Sequence, residues 1–123
     1  MLTTANSAID IETFNLLKDL MDDEGFEEII DFFCTDTDQA LKNIRMAIKK
    51  GQVDYIECAC HKLKSSSKLI GALRLAELST KLEQVQQLNA ATPGAADRLL
   101  QQLEQEFSLT RQWLAETGIT ARC

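Results

Sequence analysis

The sequence is poor in histidine, proline and glycine, and these shortages exclude or disfavour several classes of site and fold. Histidine occurs once in 123 residues, as His61. A metal site with two histidine ligands and a paired-histidine proton relay are therefore both excluded. One proline and five glycines argue against a loop-rich β-sandwich, in which turn residues recur about every 8–12 positions.

Positive charge and long apolar runs are lacking as well. The formal net charge of −6 disfavours nucleic-acid binding, because neutralising phosphates requires clustered lysine and arginine. No apolar run approaches the roughly 18 residues of a membrane span, and residues 1–5 do not begin a signal peptide. We therefore expect a cytoplasmic protein that binds neither nucleic acid nor membrane, with its four cysteines reduced.

What the sequence does contain is apolar residues at helical spacing along nearly its whole length. Steps of three and four residues, as in Phe26, Ile30 and Phe33, are typical of amphipathic helices. The pattern predicts a short first helix and four long ones within a single domain, residues 1–123. Their expected ranges are about 10–21, 25–50, 53–70, 72–89 and 94–116.

Local residues mark several helix ends, and the short connections predict the fold. Asp10 is expected to cap the first helix, and the acidic stretch 22–25 to separate it from the second. Gly51 and Gly71 suit the turns that follow the second and third helices. Long amphipathic helices with short connections predict an all-α fold, an antiparallel up-down-up-down four-helix bundle. The short extra N-terminal helix is expected across one end.

The third helix carries the single histidine on its polar side. At about 100° per residue, the centre of its apolar stripe passes through Ile56, Leu63 and Ser67. His61 then lies roughly 140° from that centre, so its ring is expected to face solvent. A single histidine usually has no functional role, so any functional assignment for His61 depends on the residues around it.

Those neighbours favour chemistry with phosphate. An exposed imidazole has a reference pKa of about 6.5, so above pH 7 one ring nitrogen has a free lone pair and is a nucleophile. Lys64 is three residues on and adjoins the histidine on the helix surface, where its ammonium can hold phosphoryl oxygens. Ser65 is small enough to leave access to the ring. By themselves, the lysines also fit an ordinary solvated face.

The run from residue 61 to residue 83 resembles the signature of histidine-containing phosphotransfer (HPt) domains. That signature reads roughly H-x-L-K-G-S-S, then a glycine ten residues after the histidine, an L-A-x-L segment and a terminal L-E. The matching positions are His61, Leu63, Lys64, Ser66, Ser67, Gly71, Leu75, Ala76, Leu78, Leu82 and Glu83. One departure is Ser65, where the family usually has glycine.

The resemblance implies a role in two-component phosphorelays. His61 would accept a phosphoryl group from a receiver-domain aspartyl-phosphate and pass it to another receiver aspartate. Lys64 would stabilise phosphoryl charge, with Lys68 a weaker candidate for the same role, and Glu83 would orient the ring. The receivers of a hybrid sensor kinase or a response regulator would be the partners and would supply Mg²⁺. The chain would need no cofactor or metal of its own, and it has no nucleotide-binding motif.

The same resemblance suggests a docking surface on the first two helices. Leu17 and Met21 end the short first helix, and Phe32 lies roughly opposite the apolar stripe of the second. In the family, these helices flank the histidine and bind the receiver. The alternative is that Phe32 packs under the first helix as an ordinary apolar contact.

Two other functions remain open from the residues alone. Cys58, Cys60 and His61 suggest a metal site, although zinc needs further ligands and Cys-x-Cys-His is not a standard spacing. The second alternative is a non-catalytic adaptor that binds receiver or signalling partners without transferring phosphate. Whichever function applies, we expect a monomer, because one bundle buries its own apolar stripes.

Overall fold

The part of the chain that the structure describes forms five helices, and tight turns join the first four of them. In the computed structural model, residues 9–87 and 94–118 are described, and these ranges contain helices but no strand. Within them, no helix combines the length and the apolar character needed to cross a membrane. The helices are α1 (Ile11–Leu20), α2 (Asp23–Lys50), α3 (Val53–Ile70), α4 (Leu73–Gln87) and α5 (Ala95–Glu116).

Aspartate caps begin both α1 and α2. Asp10 caps α1, since its carboxylate accepts a hydrogen bond from the Thr13 backbone N–H at 3.3 Å. The acidic stretch 22–25 marks the boundary between α1 and α2, as predicted. The Asp22 carboxylate accepts from the Gly25 N–H at 2.6 Å, and acidic side chains favour a helix N-terminus. As a result α2 begins at Asp23, two residues before the predicted start.

Glycines close α2 and α3, as their positions predict. Gly51 and Gly71 both have left-handed backbones, with φ of 68° and 89°. The predicted end of the fourth helix at residue 89 lies outside the described residues. Within them, α4 ends at Gln87.

The four long helices form the predicted antiparallel up-down-up-down bundle. Each packs against two neighbours: α3 lies between α2 and α4, and α5 closes the ring by packing on both α4 and α2. The short α1 lies against α2 and α3. The backbone N–H of Asp10 donates to the Gly71 carbonyl at 2.7 Å. This bond joins the start of α1 to the turn between α3 and α4.

The apolar stripes meet in one continuous core. On α3 the buried positions are Ile56, Cys60, Leu63, Ser67 and Ile70, which leaves the opposite side of this helix in solvent. Around α1, the ring of Phe14 lies edge-on against Phe26 at 5.2 Å and against Trp113 at 4.9 Å between centroids. These contacts connect α1 to both α2 and α5, so the short helix shares the core of the bundle.

Candidate functional site

His61 lies in the middle of α3 on the side away from the core. Its side chain is 64% exposed, whereas Cys60 and Leu63 on the same helix are buried. The predicted outward orientation is therefore correct. An exposed imidazole is accessible to a partner that approaches α3 from solvent.

Glu83 of α4 faces the imidazole across the seam between α3 and α4. Its Oε2 atom lies 3.9 Å from His61 Nδ1, and its side chain is 16% exposed. At this distance the contact is electrostatic rather than a direct hydrogen bond. The carboxylate lies on the Nδ1 side of the ring, and little water surrounds it to screen its charge.

The negative charge of Glu83 also affects the pKa of Cys60, which is buried on the core side of α3. Burial, and in second place the negative charge of Glu83, raise the pKa of the Cys60 thiol to about 12. The thiol is therefore neutral at physiological pH and packs as a small apolar group. Its side chain faces the core rather than the exposed side of α3 that carries His61.

Polar residues continue the exposed face of α3 beyond the histidine. Lys64 is half-buried, and Ser65 and Lys68 are exposed. Their spacing from His61 is three, four and seven residues, which places all four side chains along one side of the helix. Among the described residues, no carboxylate lies within ion-pair distance of either lysine. Both ammonium groups are thus available to an anion brought by a partner.

The second notable surface is an apolar groove between α2 and α3. It has a volume of about 530 Å³ and combines Met21 and Phe32 with Leu69. Phe32 is 69% exposed, so the alternative that it packs under α1 is wrong. Leu17, by contrast, is half-buried against the core and does not line the groove.

Sequence reasoning missed Leu69 as part of this surface. It follows Lys68 on the polar side of α3, off the apolar stripe, and is 53% exposed. That displacement from the stripe was the available signal. Eight residues separate His61 from Leu69, or about 12 Å along a helix axis at 1.5 Å per residue. The groove therefore begins within reach of any domain that covers the histidine.

The cysteines do not assemble around His61. Within the described ranges, no group of three or more histidine, cysteine, aspartate or glutamate side chains is placed to hold a metal ion. Cys58 is exposed and Cys60 is buried, because the two residues lie on different sides of α3. Both are free thiols. Cys34 is disulfide-bonded, so the expectation of reduced thiols is wrong for this residue.

Comparison with known proteins gives one family and one similar structure. A family model described as the Hpt domain matches residues 28–113. The crystal structure of histidine-containing phosphotransfer protein B (HptB) from Pseudomonas aeruginosa PAO1 superposes with a TM-score of 0.79 at 24% sequence identity. That alignment covers 89% of this chain and 93% of the other. No curated protein gives a significant sequence match.

Proposed function

The chain belongs to the Hpt-domain family, and we propose that His61 is the residue on which it carries the phosphoryl group. Histidine phosphotransfer in phosphorelays is the function of this family. The observation that carries the assignment is that the sequence has one histidine and that its side chain is 64% exposed. A histidine phosphotransfer protein with a single, accessible imidazole has one place to hold phosphate.

The transfer is a substitution at phosphorus in which His61 is the nucleophile. The lone pair of a ring nitrogen forms the P–N bond while the P–O bond to the receiver aspartate breaks, and the aspartate leaves as a carboxylate with the electron pair. Transfer to a second receiver reverses these steps. Because such transfers depend mainly on positioning and charge stabilisation, the surroundings of the ring determine the rate.

Glu83 favours one ring nitrogen over the other. Its carboxylate lies on the Nδ1 side of the imidazole, at 3.9 Å, and so stabilises a proton on Nδ1. The lone pair is then on Nε2, the nitrogen farther along the ring. Glu83 is therefore a positioning residue that acts through His61.

The lysines and the serine complete the site. Lys64 lies about one helical turn from His61, where its ammonium can stabilise the negative charge of phosphoryl oxygens. Lys68 lies a further turn along and contributes less. Ser65 is exposed between them, and its small side chain lets a receiver approach the ring.

Hpt domains interact with receiver domains, and here the partners would be the receivers of a hybrid sensor kinase or a response regulator. We expect the receiver to bring Mg²⁺ and to rest against Met21 and Phe32, which line the groove beside α3. Leu17 contributes indirectly, since it packs against the core and supports α1. A cytoplasmic location and a monomeric state stay predictions.

The deciding experiment is incubation of the purified chain with a receiver domain phosphorylated by a small-molecule phosphodonor. We expect label on this chain that is stable in alkali and lost in acid, as for a phosphoramidate. The His61→Gln variant should take up no label and should keep its helical circular dichroism. Label retained by that variant, or none on the wild type from any receiver of the same organism, would refute the assignment. Binding without label would favour the adaptor function.

A further inference from the structure

The charge of the chain is unevenly distributed, and its most acidic segment borders the apolar groove. Nine of the 19 aspartate and glutamate residues fall between positions 19 and 41, a segment that contains no lysine, arginine or histidine. This segment forms the end of α1 and the first two-thirds of α2. The remainder of the chain therefore carries a small positive excess, although the net charge is −6.

Two of these carboxylates belong to the groove itself. Glu28 and Asp36 line it on the α2 side, beside the exposed ring of Phe32. Both are exposed, and among the described residues neither has a basic side chain within ion-pair distance. Lys62 lines a neighbouring cleft with Asp36, but no ion pair among the described residues holds either carboxylate, so both can pair with a partner that covers the groove.

The opposite border of the same face is basic. Lys64 and Lys68 follow one another along α3, on the helix that also carries His61 and Leu69. The face therefore runs from an acidic border on α2, across the apolar groove, to a basic border beside the histidine. A surface of this kind fixes the direction in which a partner docks, because the reverse orientation places like charges together.

From this arrangement, and resting on the function proposed above, we propose that the groove selects receiver domains whose docking helix has an apolar centre flanked by lysine or arginine. The apolar residues of that helix cover Phe32 and Leu69. Its basic residues pair with Glu28 and Asp36. The phosphorylated aspartate of the receiver then lies near the basic border, beside His61. A second copy of this chain fits poorly, because its own groove carries the same negative border.

The test is the rate of association with the receiver domains that exchange phosphate with the chain. The double variant Glu28→Lys, Asp36→Lys should associate roughly tenfold more slowly than wild type at about 50 mM salt, and the difference should shrink at about 500 mM. Asp97→Lys is the control for a charge reversal away from the groove. Asp97 lies in the first turn of α5, which does not line the groove. This variant should stay within about twofold of wild type.

A compensating change makes the test specific to the groove. Replacing the basic residues of the receiver's docking helix with glutamate should restore fast association with the double variant and slow it with wild type. Equal rates for double variant and wild type, an equal loss in Asp97→Lys, or dimers of the wild type at low salt would overturn the proposal.

Labelling at saturating receiver separates this inference from the function it rests on. If the double variant takes up phosphate on His61 and also associates as fast as wild type, the charge selection is wrong and the phosphotransfer function stands. If the wild type takes up no phosphate from any receiver, the function itself fails. Circular dichroism of each variant establishes that the bundle is intact.

Discussion

At the scale of single residues, two lysines on α3 differ in direction although they are neighbours in sequence. Lys64 is three residues from His61 and shares its side of the helix. Lys62 is adjacent to His61 but lines a small cleft between α2 and α3, with Asp36 and Tyr55. Lys64 therefore shares the helix side of the proposed phosphorylation site, whereas Lys62 lines the cleft toward α2.

This difference predicts unequal effects of removing the two lysines. Lys64→Ala should slow transfer from a phosphorylated receiver by about tenfold, which corresponds to about 1.4 kcal/mol of transition-state stabilisation. Lys62→Ala should change the rate by less than about twofold under the same conditions. Both rates are measured as single turnovers with the receiver in excess. Equal slowing of both variants would remove Lys64 from a specific role at the phosphoryl group.

The two free thiols of α3 also differ in reactivity. Cys60 is buried, and its pKa is raised to about 12. Because a raised pKa keeps a thiol protonated until the pH approaches that value, Cys60 has almost no thiolate at pH 8. Iodoacetamide at pH 8 should therefore label Cys58, which is exposed, and leave Cys60 unmodified until urea unfolds the chain. Peptide mass spectrometry distinguishes the two, and native labelling of Cys60 at the rate of Cys58 would contradict the structure.

At the scale of the elements, the turn between α3 and α4 depends on a glycine for two reasons. Gly71 has a φ of 89°, and a Cβ at this position would lie 2.7 Å from the Asp10 carbonyl oxygen. The obstacle is backbone, so it cannot rotate away as a side chain would. Gly51 also has a positive φ, 68°, but a Cβ added there would have no neighbouring atom within 4 Å.

The two glycines separate the effect of conformation from the effect of contact. Gly51→Ala should lower the free energy of unfolding by about 1 kcal/mol, the strain of a left-handed alanine. Gly71→Ala should lower it by about 2–4 kcal/mol, because α1 must also move away from the turn. Urea unfolding followed by circular dichroism measures both. Equal losses would mean that the Asp10 contact contributes nothing to the stability of the fold.

At the scale of the whole molecule, α1 is part of the cooperative unit rather than a loose extension. Phe14 is buried and contacts the rings of Phe26 and Trp113. Trp113 is the one tryptophan of the sequence, so its fluorescence reports on the junction of α1, α2 and α5. Unfolding of α1 and of the bundle should therefore be one transition.

Urea curves measured by tryptophan emission and by circular dichroism should coincide for the wild type. Phe14→Ala should lower stability by about 3 kcal/mol through the cavity it leaves and shift the native emission to longer wavelength. Leu16→Ala is the control. Its side chain is 62% exposed on the same helix, so the change should stay within about 0.5 kcal/mol. An emission transition that precedes the loss of helicity would mean that α1 detaches first.

Much of the architecture follows from local patterns that act over a few residues. The apolar stripes, the Asp10 cap and the left-handed glycines predicted the helices and their order, because these signals depend on spacing along the chain. The acidic stretch 22–25 marks the boundary between the first two helices, as predicted, and α2 begins two residues earlier than expected. Clustered charge is typical both of a loop and of a helix N-terminus, and only the capping geometry of Asp22 distinguishes the two.

Some features of the site also follow from the sequence alone, whereas others depend on how the helices pack. By itself, the sequence determined the bundle and the outward orientation of His61, since both follow from helical periodicity within single segments. Its motif also indicated the task of that histidine. Tertiary structure decided which residues from different helices meet: it places Glu83, which only the family resemblance had suggested, beside the imidazole, and it brings Phe32 and Leu69 into one groove. The physical reason is that these contacts depend on the rotation and offset of one packed helix against another, which periodicity within one helix does not specify.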